Sequence, residues 1–414
     1  MSDNWESVKF ETLYSEPSKN GLTRPKKVRG QGYKMVNMGE IFAYNIIKNP
    51  SMELVPLNDK EKSQFSLIDG DLLFARQSLV AEGAGKCSIV LRPSETITFE
   101  SHLIRVRLNK KESDPSYYFY YFISPQGKGN VQSLVIQVAA AGIRGSELAK
   151  LKVPKPPLPT QKKIAAVLSA YDDLIENNNR RIKILEEMAQ ALYREWFVEF
   201  RFPGHEDVKM VDAGDGRMVP EGWECTTLKK VIVLFDRLRK PLSKMERENR
   251  KGTYPYYGAA KIFDYIDDYI FDGDFLLMAE DGSVITTDGK PMLQLAHGKF
   301  WANNHTHIIQ GKEPISLEYL YLTLSILSII GYVTGAAQPK ITQTNLNRIP
   351  ILYPEISILE SFNAITRDIF SRMHSLEKIN KNLTQTRDLL LPRLIEGEVE
   401  VSDLDIAIAK NGRQ

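Results

Sequence analysis

The histidines are the first place to look for chemistry. The chain has only six, and His297, His305 and His307 fall close together with Asn303 and Asn304. A zinc or iron site needs ligands at a spacing that closes a coordination shell, and this spacing matches no recurrent metal motif. Polar loop and strand residues are the plainer reading. A second candidate is Asp288-Gly289-Lys290 with Asp272 or Asp274 upstream. An acid followed by Asp-x-Lys can hold magnesium in a nuclease built around Asp274, Asp288 and Lys290, although Asp-Gly-Lys is also an ordinary turn. Nucleotide chemistry finds no support. Gly85-Lys86 is followed by Cys87, and Val80 stands where a phosphate-cradling loop needs its first glycine. No GxGxxG opens a helix, no GxSxG elbow occurs, and the Asn-Pro-Pro-aromatic word that holds a flipped base is missing. The expectation is a chain with no catalytic residue, no metal ligand and no cofactor of its own.

Basic and polar loop clusters stand out instead, one pair in each half. The first half carries Lys19, Asn20, Arg24, Lys26, Lys27, Arg29, Gln31, Tyr33 and Lys34, broken by Gly21, Pro25, Gly30 and Gly32, and later Gly142-Ile143-Arg144-Gly145-Ser146. The second half carries Arg237, Arg239, Lys240, Lys244, Arg247, Arg250 and Lys251, then Tyr254-Pro255-Tyr256-Tyr257, and later Gly335-Ala336-Ala337-Gln338-Pro339-Lys340. Lysine and arginine on loops neutralise phosphates and release counterions, while Arg, Gln and Asn can read base edges. A solvated basic loop is the alternative for any single cluster.

Something must hold these loops. With 414 residues, 43% of them hydrophobic, the chain is long enough for two to three domains of roughly 100–200 residues with real cores. Its 54 Lys+Arg against 52 Asp+Glu leave a net charge of +2, so a nucleic-acid surface has to be local. Cys87 and Cys225 without a CxxC exclude a disulfide scaffold. The start, MSDNWESVKF, has no apolar core of a signal peptide, and Tyr319 to Val333 falls short of the ~18 apolar residues of a membrane span. A soluble, cytoplasmic protein is expected.

The order of words repeats. Asn4-Trp5-Glu6 is echoed by Gly222-Trp223-Glu224, Ile68-Asp69-Gly70-Asp71-Leu72 by Phe271-Asp272-Gly273-Asp274-Phe275, and Leu148 to Pro156 by Leu346 to Pro354. For the second and third echoes the offset is about 200 residues, the mark of an internal duplication. Strand patterns occur at Ser88–Leu91, His102–Leu108, Tyr269–Ala279 and Thr306–Ile309, and helical spacing at Ser116–Ile123 and Leu317–Ile330. Each half ends in a long heptad stripe. The first, with Thr160 as expected N-cap, runs Ile164, Leu168, Tyr171, Ile175, Asn178, Ile182, Leu185, Ala189, Leu192 and Trp196. The second, with Ser357 and Glu360 as an expected capping box, runs Phe362, Ile365, Ile369, Arg372, Leu376, Ile379, Leu383, Thr386 and Leu390. Each stripe is on the order of 50–60 Å long, and two such stripes in one chain are best satisfied by antiparallel pairing with each other.

On these residues the chain resembles the DNA-specificity (S) subunits of type I restriction-modification systems. The resemblance covers nearly the whole chain. It rests on Pro154-Lys155-Pro156-Pro157-Leu158-Pro159-Thr160-Gln161-Lys162-Lys163-Ile164, Trp196-Phe197-Val198-Glu199-Phe200, Arg239-Lys240-Pro241-Leu242-Ser243, Tyr254-Pro255-Tyr256-Tyr257-Gly258-Ala259 and Gln338-Pro339-Lys340-Ile341-Thr342. It implies an α+β fold of two mixed, strand-rich target-recognition domains, separated by two long antiparallel coiled-coil helices, with a pseudo-twofold internal repeat. The implied divisions are recognition domain 1 at 1–153, long helix 1 at 154–202, a linker at 203–217, recognition domain 2 at 218–350, long helix 2 at 351–400 and a tail at 401–414. It also implies a non-catalytic subunit that reads a bipartite duplex target, one domain per half. Two methyltransferase subunits and restriction–translocation subunits would be its partners, without a membrane. S-adenosylmethionine, ATP and magnesium would sit on those partners. Carried onto this chain, Arg29, Gln31, Arg144, Arg239 and Gln338 become expected base readers, and Lys26, Lys27, Lys244 and Lys340 expected phosphate clamps. Arg372 and Thr386 interrupt the second stripe, which leaves the pairing register open.

Overall fold

A computed structural model describes residues 5–78, 83–137, 141–214, 216–335 and 338–401. Asn4, Val80, Asp215, Ala336, Ala337 and the tail from 402 on lie outside the described residues. By its internal contacts the chain divides into two units, one of residues up to Asn177 together with those from Ile379 on, the other of Asn178 to Lys378.

The first unit is built on a five-stranded sheet of β1 (Tyr14–Asn20), β2 (Ile46–Ile47), β3 (Leu72–Ala75), β4 (Cys87–Val90) and β5 (Leu103–Leu108), in the order β1-β5-β3-β4-β2. β3 and β4 are buried at every position, which explains their largely apolar runs, broken only by the buried Ser88. One face is covered by helix α1 (Pro115–Ile123), whose rings pack with Phe10 and Phe74. Asp114 caps it by accepting the amides of Ser116 and Tyr117 at 2.9 and 3.1 Å, and Pro115 occupies a first-turn position that needs no amide hydrogen. Arg107 is held by a two-point pairing with the buried Asp71 at 2.7 and 2.8 Å. The repeated Asp-Gly-Asp word therefore serves a buried ion pair here.

The second unit carries a six-stranded sheet of β6 (Ile232–Leu234), β7 (Lys251–Tyr257), β8 (Ile262–Ile266), β9 (Phe271–Ala279), β10 (Leu293–Ala302) and β11 (Thr306–Gly311), ordered β6-β11-β9-β10-β7-β8. Helix α3 (Leu317–Ile326), capped by Ser316 on Tyr319 N, joins its core. In this half the Asp-Gly-Asp word lies inside β9, with Gly273 opposite Gly298, so the echo is one of sequence and not of turn geometry. The duplication shows elsewhere. Ser7–Lys9 pairs antiparallel with Lys152–Pro154, and Glu224–Thr227 pairs antiparallel with Pro350–Tyr353. In each half the strand near the Trp-Glu word thus clasps the strand that leads into the long helix. The stretch expected as a linker folds into a short hairpin, Met210–Asp212 against Met218–Pro220, with Asp212 Oδ1 accepting the amides of Gly214 and Gly216.

The long helices are α2 (Leu158–Tyr193, continued by a π turn Arg194–Val198) and α4 (Ile356–Ile395). Neither expected cap forms. α2 opens before Thr160, and Gln161 secures the start by donating to Pro156 O at 2.8 Å and accepting Asp114 N at 2.8 Å. Ser357 already lies within α4 and its hydroxyl donates to Glu355 at 2.7 Å. In α2 every member of the Ile164-to-Trp196 stripe is buried or half-buried, Tyr171, Ile175, Asn178, Ile182 and Leu185 included. In α4 only half of the expected stripe is covered. Phe362, Ile369, Leu376, Leu383 and Leu390 face inward, but Ile365 and Ile379 are 44% and 47% exposed, and Arg372 and Thr386 are exposed too. The covered seam is instead Phe362, Thr366, Ile369, Met373, Leu376, Asn380, Leu383, Arg387, Leu390 and Leu394. It keeps the alternation of four and three, entered with a step of four in place of three.

Each unit shows the same antiparallel partnership in its own core. In the first, Ile164 and Leu168 at the start of α2 join Leu391 and Leu394 at the end of α4, and Arg387 pairs with Asp172. In the second, Tyr193, Trp196 and Phe197 at the end of α2 surround Phe362 near the start of α4, with ring centroids 6.1, 5.7 and 4.7 Å apart. This is the coiled-coil arrangement expected, with a corrected frame in α4.

Candidate functional site

The basic residues of the first unit divide into two groups. Arg24 pairs with Glu61 at 2.6 Å and donates to Pro56 O, Arg29 pairs with Glu53 and donates to Arg24 O at 2.8 Å, and Lys34 pairs with Glu95 at 2.7 Å. Lys19 lies over the Phe65 ring and reaches Gln64 O at 3.4 Å. These side chains brace the loop. Lys26 and Lys27, on a 3-10 turn of Lys26–Val28, are exposed, and neither has a side-chain partner among the described residues. Gln31 is exposed between Gly30 and Gly32, whose φ angles are +108° and +103°. At Gly32 a Cβ would also lie 2.5 Å from Val55 O, so that turn tolerates no side chain. Asn20 and Arg144 are exposed as well.

Lys26→Ala combined with Lys27→Ala is expected to leave the fold intact. It should lower the slope of log affinity for duplex DNA against log salt by about 0.9 for each phosphate that is no longer neutralised. Fluorescence anisotropy across a salt series measures this, and an unchanged slope would remove both lysines from the interface.

In the second unit the same division is organised by a buried polar hub. Asp236 accepts from His307 Nδ1 at 2.6 Å, from Ile308 N at 2.9 Å and from Gln343 Nε2 at 2.7 Å. His307 Nε2 lies 2.9 Å from Ile341 O, so both ring nitrogens are engaged. Arg239 donates to Glu280 at 2.6 Å, Thr306 O at 2.8 Å and Asp236 O at 2.9 Å, and Lys340 reaches Glu280 at 3.2 Å. Arg239 is thus turned inward, only 12% of its side chain exposed, and does not present its guanidinium as an expected base reader would. Arg247 is likewise engaged, donating to Leu242 O at 2.6 Å and lying over Tyr256. Tyr257 is buried against Phe300, and that burial, helped by Tyr265 and Glu377, pushes its hydroxyl up to about 12. Arg237, Lys240, Lys244 and Gln338 are exposed, Lys244 loosely paired with Glu248 at 3.8 Å. The hub ties the 236–240 turn, the end of β9, the start of β11 and the 338–343 segment together, and so positions these exposed groups.

Asp236, Glu280 and His307 bring donor atoms within 4.8 Å of one another, the spacing of a metal site. The chemistry is wrong for one: both His307 nitrogens are spent on acceptors, and Arg239 and Lys340 already supply positive charge. The magnesium-nuclease alternative also fails on geometry. Asp288 pairs with Lys290 at 2.8 Å within a tight turn, where that bond and Thr286 hold its carboxyl at about 2, while Asp274 is bound to His297 at 2.8 Å. Among the described residues these acids belong to no group of three or more side chains that could hold a metal ion. Sequence reasoning passed over Asp236 and Glu280, and took His307 as an ordinary polar residue on a strand pattern. An acid placed directly after an apolar run (Val231 to Phe235, then Asp236) was the available signal.

Comparison with known proteins adds to this geometry. A family model described as "Type I restriction modification DNA specificity domain" matches residues 3–187 and again 220–390. A putative type I restriction enzyme specificity subunit of Haemophilus influenzae is 37% identical over 152 residues, 35% of this chain and 38% of that protein. The MjaIX specificity subunit of Methanocaldococcus jannaschii is 27% identical over 71% of each chain. The putative MjaX specificity subunit of the same organism is 25% identical over 94% of this chain and 93% of its own. The crystal structure of a type I restriction-modification S subunit from M. genitalium superposes with a TM-score of 0.58 at 16% identity, covering 94% of this chain and 96% of that one, a likeness of fold. No helix among the described residues is long and apolar enough to cross a membrane.

Proposed function

The chain belongs to the type I restriction-modification DNA specificity family, and from that premise we propose that it reads a split duplex sequence, one half with each recognition domain. It is a DNA-specificity subunit, a recognition component and not the catalyst. The carrying observation is that the family model matches twice in one chain, and that each match holds a strand clasp, a mixed sheet and one long helix. In this reading residues 1–153 and 218–350 are the recognition domains. The exposed Lys26, Lys27, Gln31, Arg144, Arg237, Lys240, Lys244 and Gln338 meet DNA, and the inward-turned arginines hold the loops in shape. The paired helices fix the unread bases between the halves. Adenine methylation, translocation and cleavage belong to methyltransferase and restriction subunits, which bring S-adenosylmethionine, ATP and magnesium.

Co-expression with the methyltransferase subunits, followed by methylome mapping, tests the proposal. The expected product is a single bipartite motif, and exchange of residues 218–350 for those of another specificity subunit should change one half of it alone. Alteration of both halves, or of neither, rejects the modular reading.

The docking face for a methyltransferase subunit in this proposal lies on the second unit, on apolar residues of the helices outside the seam: Ile184 and Met188 on α2 and Ile365 on α4, all exposed. A lone specificity subunit leaves these residues in water, which a family partner with an apolar patch would cover. Ile184→Asp with Met188→Asp is expected to weaken assembly at least about tenfold without unfolding the chain, as read by size-exclusion chromatography and circular dichroism. Normal assembly would place the docking face elsewhere.

A further inference from the structure

A polar cavity of about 380 Å³ lies in the second unit between α4 and β10, outside the loops considered above. Arg367, Ser371, His374 and Lys378 follow one another along α4 at steps of four, three and four, which puts them on one face of the helix. That face is turned away from the seam, and His297 of β10 comes down onto it, its ring centroid 4.0 Å from that of His374.

The bonding around the cavity is lopsided. Among the described residues neither Arg367 nor Lys378 has an ion-pair or hydrogen-bond partner. His374 Nδ1 is buried with no hydrogen bond, and its nearest carboxylate oxygen, on Glu377, is 3.8 Å away. Of the acids in the wall, Asp274 is taken up by His297 at 2.8 Å, which leaves Glu318. Burial, followed by the positive neighbours His297 and Lys378, holds His374 below the ordinary histidine range.

We propose that this cavity binds a phosphate group, with the Arg367 fork, the Lys378 ammonium, the Ser371 hydroxyl and the paired imidazoles as its donors. Phosphate presents several strong acceptors to such a set, and guanidinium matches two of them at once. A divalent metal is the opposite choice for a paired histidine, but two permanent cations in the wall oppose it. The three-donor cluster found among the described residues lies elsewhere, at Asp236, Glu280 and His307. The phosphate has two sources, free phosphate or the backbone of DNA, and one set of measurements separates them.

The histidine ring signals of the full chain are followed by NMR while inorganic phosphate is added, and separately while a duplex oligonucleotide is added at low salt. Phosphate is expected to shift His297 and His374 selectively and to raise the pKa of His374. Arg367→Gln with Lys378→Gln, both at exposed positions, should weaken that response at least tenfold while leaving circular dichroism unchanged. If the duplex moves the same two signals and the double variant weakens duplex binding, the phosphate is that of DNA. If only inorganic phosphate moves them, the site takes a free anion. Silence in both titrations, an equal response in the double variant, or a response to zinc in place of phosphate overturns the proposal. The phosphate titration involves no target sequence, so its failure would leave the specificity reading and its methylome test standing.

Discussion

Phe362→Ala is expected to cost the second unit about 3–5 kcal/mol, the range for removing a fully buried ring from a core that cannot close over the hole. The side chain is completely buried. Its ring meets Phe197 edge-on at 4.7 Å, Trp196 at 5.7 Å, and Tyr193 and Tyr319 at 6.1 Å. Truncation therefore loosens α2, α3 and the start of α4 together. Ile365→Ala, three residues on, should cost less than about 1 kcal/mol because that side chain is 44% exposed. The pair tests the seam frame directly. Trp196 and Trp223 belong to the same cluster as Phe362, so tryptophan fluorescence in a urea series follows the relevant transition, even in a chain whose units need not unfold together. Equal losses at positions 362 and 365 would refute the frame in which Thr366, and not Ile365, faces the partner helix.

That frame marks where the sequence was legible and where it was not. The stripe of α2 is apolar except at Asn178, so its period stands out and its covered face follows from it. In α4 the covered seam includes Thr366, Asn380 and Arg387, while Ile365 and Ile379 are in water. Hydropathy therefore selects the wrong alternate positions. Arg387 sits at a seam position because Asp172 of α2 neutralises it, and Asp172 in turn accepts the Tyr120 hydroxyl at 2.5 Å. A seam completed by charge on another element has no signature in its own heptads.

The loops teach the same lesson. Arg237 and Arg239 are two residues apart and alike in type, yet one is exposed and the other turned inward. Glu280, 41 residues further on, draws Arg239 in. In the first unit Glu53, Glu61 and Glu95 similarly withdraw Arg29, Arg24 and Lys34. A basic run identifies the segment that carries the surface, but its folded acidic partners decide which members remain on it. The duplicated architecture was easier to read, because the Trp-Glu words and the strands leading into the long helices recur in the same order in both halves.

Asp236→Ala is expected to cost about 3–5 kcal/mol and to abolish recognition of one half of the target. The carboxylate serves three donors, His307 Nδ1, Ile308 N and Gln343 Nε2. Removing it strands them in a buried place, the costly way to break an internal polar network. The same side chain sets a pH dependence. Burial by itself would raise the Asp236 pKa, but the hydrogen bond and charge of His307, with Ile308 N and Arg239, outweigh it and leave the carboxyl below its ordinary value. Glu280 is also lowered: burial opposes the shift, and Arg239, His307 and Lys340 overcome it. An acid depressed in the folded state contributes stability above its unfolded pKa, near ~4, and loses it as pH falls through the folded value. The wild-type second unit should therefore lose stability steeply below about pH 4, while Asp236→Asn, already weaker at neutral pH, should show a shallower acid limb. Urea midpoints read by tryptophan fluorescence at neutral and acid pH measure both slopes. Parallel curves for the two proteins would mean that Asp236 does not carry the hub, and with it the placement of Arg237, Lys240 and Gln338 would need another cause.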